Sequence, residues 1–75
     1  MAIASVIVEI EDGTSEAVLG SIAQIAQTTV YGIKKNQIVT VIEGGNSREI
    51  DEVIRQLSAL DKVIGVYPVY AGDDE

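Results

Sequence analysis

Runs of β-branched residues alternate along this chain with spans whose apolar spacing is helical. Residues 3–10 form a dense run of Val and Ile, in which Ser5 and Glu9 are four positions apart and therefore share one strand face. Similar composition predicts strands over residues 28–34, 37–43 and 63–70. Two intervening spans instead show the i, i+3, i+4, i+7 apolar spacing of one-sided helices. Those positions are Val18, Leu19, Ile22, Ile25 and Ala26 in the first span, and Ile50, Val53, Ile54, Leu57 and Leu60 in the second.

Polar residues between these spans predict where the elements begin and turn. Asn46, followed three residues later by Glu49, can form a capping box for the second helix, with Ser47 as the competing cap. Lys35 and Asn36 separate two strands by a single tight turn, since Asn tolerates positive φ. The second and third strands therefore form a hairpin.

The resulting element order is β-α-β-β-α-β, the split βαβ arrangement of ferredoxin-like folds. This α+β class has a four-stranded antiparallel sheet in the order 4-1-3-2, with two helices on one face. Pro68 falls in the fourth strand, which is an edge in this order and therefore tolerates a residue without a backbone N–H. We predict one domain over residues 1–72, followed by an acidic tail at 73–75.

Two helices cover only one face of such a sheet, so the composition of the open face is informative. The open face of an antiparallel sheet in a monomer is usually polar. Strand alternation that turns Val6, Val8, Val39, Val41, Ile64 and Val66 toward the helices leaves eight residues for the open face. These are Ser5, Ile7, Glu9, Ile38, Thr40, Ile42, Tyr67 and Val69. Five of the eight are apolar, and shifting the register by one residue leaves apolar residues on both faces.

A contiguous apolar face of this kind normally marks an interface. One occupant is a second copy of the chain, packed sheet against sheet as a homodimer. The other is an apolar, amphipathic helix, with Glu9 and Glu43 at the rim of its site. The acidic surroundings would favour a helix flanked by Lys or Arg.

Composition and charge exclude several classes of partner. The chain has 75 residues, 47% of them apolar, and a net charge of −7 from 5 Lys and Arg against 12 Asp and Glu. A field of that sign repels nucleic acids and anionic membranes, so we expect no nucleic-acid partner. No apolar run is long enough to cross a bilayer, and no basic leader precedes the first strand. We therefore expect a cytoplasmic protein without membrane insertion.

Candidate catalytic and ligand-binding chemistry is sparse. The chain has no Cys and no His, which removes thiolate chemistry, the commonest general base and the commonest metal ligand. Residues 44–47 lack the lysine and the spacing of a phosphate-binding loop, so we interpret them as a turn and a helix cap. Glu9, Glu11 and Asp12 read as a solvated rim, since no shaped loop brings them together around a cation. We expect no catalytic residue, no metal and no cofactor.

Three segments of the chain resemble one protein family. They are Ala-Ser-Val-Ile-Val-Glu-Ile at 4–10, Asn-Gln-Ile-Val-Thr-Val-Ile-Glu at 36–43 and Val-Ile-Gly-Val-Tyr-Pro-Val-Tyr at 63–70. In these motifs, in length and in element order the chain resembles NapD, the small cytoplasmic assembly chaperone of periplasmic nitrate reductase. The closing Val-Tyr before acidic residues is the most specific part of the resemblance.

The resemblance implies a non-catalytic chaperone with a ferredoxin-like fold. Such a protein binds the twin-arginine signal peptide of the reductase's catalytic subunit as a helix, and so delays export until the molybdenum cofactor is inserted. Carried onto this sequence, the implied signal-peptide-binding residues are Ser5, Ile7, Glu9, Ile38, Thr40, Ile42, Glu43, Tyr67 and Val69. Glu9 and Glu43 are the candidates to meet the arginines.

A second class of function stays open on the residues alone. An ACT-like regulatory or dimerisation module would use the same topology to bind a small molecule at a subunit interface. Charge separates the two hypotheses: Glu9→Lys should weaken a basic peptide in a salt-dependent way and matter much less for a neutral metabolite.

Overall fold

The computed structural model describes residues 1–73 of the chain. Its elements are β1 (Ala2–Ile10), α1 (Ser15–Ile22), β2 (Thr28–Lys34), β3 (Gln37–Gly44), α2 (Ser47–Ser58) and β4 (Val63–Asp73). The predicted β-α-β-β-α-β order is confirmed. β4 continues to Asp73, beyond its predicted end at residue 70, and the remainder of the predicted tail, residues 74–75, lies outside the described residues.

All neighbouring strands of the sheet are antiparallel, in the order β2-β3-β1-β4. Read from the other side this is 4-1-3-2, which confirms the ferredoxin-like α+β fold. β4 is an edge strand, as the position of Pro68 predicts.

One face of the sheet carries the hydrophobic core. Every second residue of β1 is buried, and so are the inner residues of both helices. Together with Ile38 and Ile42 of β3 they form a single hydrophobic cluster, and the polar Thr40 is buried on the same face. The members of the cluster are Ala2, Ala4, Val6, Val8, Ile10, Val18, Ile22, Ile38, Ile42, Ile50, Val53 and Leu57. Because α1 and α2 contribute to the same cluster, both helices cover this face, and each fully buried Val, Ile or Leu contributes about 1.5–3 kcal/mol.

Helix α1 is shorter than its apolar spacing predicts, ending at Ile22 rather than near residue 26. Ile25 packs against the core from the following turn. The Thr28 hydroxyl donates hydrogen bonds to the carbonyl oxygens of Ile25, at 2.8 Å, and Ile22, at 3.2 Å. Both carbonyl oxygens also accept a backbone N–H, from Thr28 and Ile25 respectively, so the hydroxyl adds to the bonds that hold the chain in its turn toward β2.

Asn46 caps the start of α2 as predicted, but the return bond to Glu49 comes from Gly45, the residue before the cap. The Asn46 Oδ1 accepts a hydrogen bond from the backbone N–H of Glu49 at 3.0 Å. The Glu49 carboxylate accepts one from the backbone N–H of Gly45 at 3.0 Å, and another from Gln27 Nε2 at 3.2 Å. Ser47 is the first helical residue rather than the cap. The cap therefore fixes both the start of α2 and its link to the segment before β2.

The hairpin between β2 and β3 sets the register of β3. Lys34 pairs with Gln37 across a two-residue turn. Positive φ falls on Lys35, at 56°, whereas the sequence prediction placed it on Asn36. Asn36 instead uses its side chain, whose Nδ2 donates to Asp12 Oδ1 at 2.7 Å. That contact ties the hairpin turn to the loop that follows β1.

Candidate functional site

The open face of the sheet is defined by the β1 residues that point away from the core. These are Ile3, Ser5, Ile7 and Glu9, which alternate with buried neighbours. Across the β1–β3 ladder they lie opposite Glu43, Val41, Val39 and Gln37, respectively. Residues paired across strands share a face. The structure therefore places the predicted residues Ser5, Ile7, Glu9 and Glu43 on this open face, while their binding role stays a prediction.

The predicted face of β3 is wrong. Ile38, Thr40 and Ile42 were expected on the open face, but each is 0% exposed within the core. They lie opposite Val8, Val6 and Ala4, respectively, all of which are buried residues of β1. The residues between them face outward instead. Val39, 37% exposed, and the half-buried Val41 therefore belong to the open face and not to the helix-covered face.

The pairing of β4 with β1 has two register shifts, which change the direction of the β4 side chains. Val66 lies opposite Val8 on the helix-covered face, and Tyr67 lies opposite Ile7 on the open face. Ile64 is the extra residue at one shift and is 62% exposed, so its predicted direction toward the helices is wrong. Val69, the extra residue at the other shift, is 64% exposed.

The bulge at Val69 also brings a tyrosine that sequence reasoning missed into register on the open face. Tyr70 lies opposite Ser5, and Gly72 lies opposite Ile3. The phenol of Tyr70 occupies the space over Gly72, where an added Cβ would come within 2.7 Å of the hydroxyl oxygen. The sequence signal for this arrangement is a glycine two residues from a tyrosine, since residues two apart in a strand share a face.

Tyr67 and Gly65 repeat this arrangement at the other end of β4. A Cβ at Gly65 would lie 2.6 Å from the Tyr67 hydroxyl oxygen, so the phenol fills the space that a side chain would occupy. Gly65 lies opposite Glu9 in the ladder. The Tyr67 hydroxyl accordingly donates a hydrogen bond to Glu9 Oε1 at 3.2 Å.

The bond between Tyr67 and Glu9 has an electrostatic consequence. Accepting the phenolic proton favours the neutral phenol, and the carboxylate charge opposes formation of a phenolate. Together they raise the pKa of Tyr67 above 10.0. Tyr67, which like any phenol donates at neutral pH, therefore keeps its proton into more alkaline solution than an isolated tyrosine does. A polar cleft of about 340 Å³ adjoins Glu9 at this end of the sheet, with Lys34 and Lys35 in its lining.

The centre of the open face is an apolar band. Gly32 of β2, Val39, Ile7 and Tyr67 follow one another across the four strands. Ile3, Val41 and Tyr70 extend the apolar surface toward the end of the sheet where Glu43 lies. Glu9 and Glu43 thus stand at opposite ends of a surface about 20 Å long, six residues of strand.

The described residues 1–73 contain no group of three or more acidic side chains arranged to hold a metal ion. None of their helices is long and apolar enough to cross a membrane. A cleft of about 260 Å³ opens on the helix-covered side between α2, β1 and β4, where Ser47 and Asp51 are its polar residues. It lies apart from the Tyr67–Glu9 pair.

Comparison with known families identifies the chain. The sequence model of one family, described as NapD protein, matches residues 1–75, which is the entire chain. The chain belongs to the NapD family. No curated protein and no solved structure matches this NapD-family chain. Membership gives it a role in nitrate reductase assembly, with a protein partner in that process, and places it in a chaperone-type rather than a catalytic family.

Proposed function

We propose that this NapD-family protein is a cytoplasmic, non-catalytic chaperone for the twin-arginine signal peptide of the periplasmic nitrate reductase catalytic subunit. The peptide binds as a helix on the open sheet face, and its capture delays export until the cofactor has been inserted. The observation that carries this proposal is an apolar open face with Glu9 at one end and Glu43 at the other, measured along the strands.

The dimensions of the open face suit one helix. About 20 Å separates its acidic ends along β1, which a helix of about 13 residues would span. Four strands give the sheet a width of roughly 15–19 Å, enough to seat a helix of about 10 Å diameter. Val39, Val41, Ile7 and Tyr67 would meet the apolar side of such a helix.

Charge favours a basic helix over a second copy of the chain. The net charge of −7 attracts a peptide that carries arginines, and this long-range attraction increases the rate at which the peptide associates. A sheet-to-sheet homodimer would instead confine two chains of −7 and the carboxylates of Glu9 and Glu43 from both within one interface. Like charges so placed oppose association.

The corrected strand faces change the proposed contact residues. Ser5, Ile7, Glu9, Glu43 and Tyr67 remain, and Val69 remains at the exposed edge of β4. Val39, Val41 and Tyr70 replace the buried side chains of β3 in the proposed peptide contact. Ile38, Thr40 and Ile42 are withdrawn, because a peptide could reach them only by displacing the core.

Calorimetric titration with a synthetic twin-arginine peptide tests the proposal, beside a control peptide whose two arginines are glutamines. We expect saturable binding that weakens in the control and weakens again as salt is raised. Val39→Thr, a nearly isosteric change in the apolar band, should weaken binding about tenfold by placing a hydroxyl under the helix.

Ile64→Thr is the matched control, because Ile64 is exposed but lies at a bulge outside the band. Equal losses for Val39→Thr and Ile64→Thr would argue against the open face as the site. A stable dimer that does not respond to the peptide would refute the chaperone proposal and favour an ACT-like module.

A further inference from the structure

We propose that Tyr67 and Glu9 form a receptor for a guanidinium group, which makes the open face prefer arginine over lysine in the bound peptide. This inference rests on the proposed function and adds a specificity-determining residue to it. Glu9 supplies the charge, and Tyr67 sets the direction of the carboxylate and offers an aromatic surface beside it.

The geometry of the pair depends on a third residue. Tyr67 lies opposite Ile7, so its hydroxyl reaches Glu9 only because the phenol leans two residues along β4. The space over Gly65 is what admits it, since an added Cβ would be 2.6 Å from the hydroxyl oxygen and 2.8 Å from Cζ. The absence of a side chain at 65 therefore allows the phenol to lie beside the carboxylate, where the hydrogen bond holds it.

The hydrogen bond orders the Glu9 side chain before any ligand arrives. The Tyr67 hydroxyl lies 3.2 Å from Oε1, which restricts the rotation of the Glu9 side chain, and Oε2 is the second acceptor oxygen that a ligand could use. A phenol is already protonated at neutral pH, and the hydrogen bond to Glu9 raises the pKa of Tyr67 further. A receptor whose acceptor is already oriented loses less side-chain entropy on binding.

Arginine uses such a surface better than lysine does. Its planar guanidinium can donate in parallel to a carboxylate and lie against an aromatic ring at the same time, whereas an ammonium is a compact point charge. Tyr67 is 51% exposed, so ring surface is accessible beside Glu9. Lys34 and Lys35 line the same cleft as Glu9. Their charges oppose any incoming cation and leave the discrimination to shape and hydrogen bonding.

Tyr70 provides an internal control. Its phenol lies over Gly72 as that of Tyr67 lies over Gly65. The glycine beneath its phenol, Gly72, lies opposite Ile3, whereas Gly65 beneath the phenol of Tyr67 lies opposite Glu9. The two tyrosines thus share their ring placement and differ in the carboxylate, so Tyr70→Phe removes an equivalent hydroxyl without touching the pair.

The experiment compares three peptides that differ only at the twin positions, which carry Arg, Lys or Gln. Wild-type protein should bind the Arg peptide about fivefold more tightly than the Lys peptide. Tyr67→Phe should reduce that ratio to about twofold, and Glu9→Gln should remove it. Tyr70 is itself a proposed contact residue, so Tyr70→Phe can weaken binding of all three peptides alike but should leave the ratio unchanged. Because the hydroxyl acts through the carboxylate, Tyr67→Phe should change nothing further in a Glu9→Gln background.

The outcomes separate this inference from the proposed function. Tight binding of the Arg peptide with a ratio that Tyr67→Phe does not change would overturn the inference alone. Effects of Tyr67→Phe and Glu9→Gln that simply add would also overturn it, as would an equal effect of Tyr70→Phe. Failure of the wild-type protein to bind any of the three peptides would overturn the proposed function, and this inference with it.

Discussion

Thr40 offers a quantitative test of the corrected face of β3. Its side chain is 0% exposed, and among the residues that the structure describes nothing forms a hydrogen bond with its Oγ1. It lies between Val6 of β1 and Val30 of β2, opposite both in the ladders. Thr40→Val keeps the β-branched shape and the strand preference while replacing the buried hydroxyl by a methyl group.

The magnitude follows from the desolvation of that hydroxyl. Leaving a buried polar group unpaired costs about 1–3 kcal/mol, so Thr40→Val should raise the free energy of unfolding by about 1–2 kcal/mol. In a domain of this size, each kcal/mol moves the Tm by about 4–8 °C. Were Thr40 on the open face instead, the same substitution would change stability by less than about 0.5 kcal/mol.

Thr28→Val is the matched control, because it makes the same chemical change where the hydroxyl is paired. Thr28 lies opposite Ile42 in the neighbouring strand and donates to the carbonyl oxygens of Ile25 and Ile22. Losing these bonds should lower the free energy of unfolding by about 1 kcal/mol. The two Thr→Val variants should therefore move stability in opposite directions.

Urea unfolding followed by circular dichroism measures both variants. With a slope of about 1 kcal/mol/M, the midpoint should rise by about 1–2 M for Thr40→Val and fall by about 1 M for Thr28→Val. The slope itself should not change. A Thr40→Val protein no more stable than wild type would refute the placement of an unpaired hydroxyl in the core.

Two further predictions concern the Asn46 cap and the glycine beneath Tyr67. Asn46→Ala removes the acceptor of the Glu49 backbone N–H, so it should lower the free energy of unfolding by about 1 kcal/mol and the Tm by about 4–8 °C, measured by calorimetry. An unchanged Tm would contradict the cap. Gly65→Ala should displace the phenol and return the pKa of Tyr67 toward 10.0, read by alkaline absorbance titration. Gly32→Ala, where an added Cβ meets nothing within 4 Å, should leave that pKa raised.

The elements and their order could be predicted because their signals are local. Helical spacing, the Asn46 cap and β-branched runs each depend on a few neighbouring residues, and Pro68 alone marks β4 as an edge. The outward direction of β1 was equally clear, since Ser5 and Glu9 are the polar residues of its alternation.

The face of β3 could not be read in the same way. Its two sets of alternate residues are both rich in Val and Ile, and the polar Thr40 belongs to the buried set. Which set is buried depends on the register against β1, where Thr40 meets Val6. The hairpin at Lys35 and the tie from Asn36 to Asp12 contribute to that register. Non-local pairing of this kind leaves no trace in the alternation of a single strand.

The β4 side of the candidate site was obscured by its bulges. Each bulge adds one residue to β4, so the alternation of inward and outward side chains counted from Val66 no longer holds beyond Pro68. As a result Tyr70, and not Val69, lies opposite Ser5. A bulge reflects the fit of two strands, and the isolated sequence of one strand does not specify it.

The same bulges bear on whether other chains can pair with the edges of the sheet. Both outer strands of the sheet are interrupted, β4 twice against β1 and β2 once between Val30 and Gly32. An interrupted edge is a poor template for another chain, and Pro68 within β4 provides no amide proton for such pairing. Intermolecular sheets that grow strand by strand, as in fibrils, are therefore disfavoured at both edges. The uncovered apolar face, rather than either sheet edge, is therefore the part of this sheet that remains open to contact with another chain.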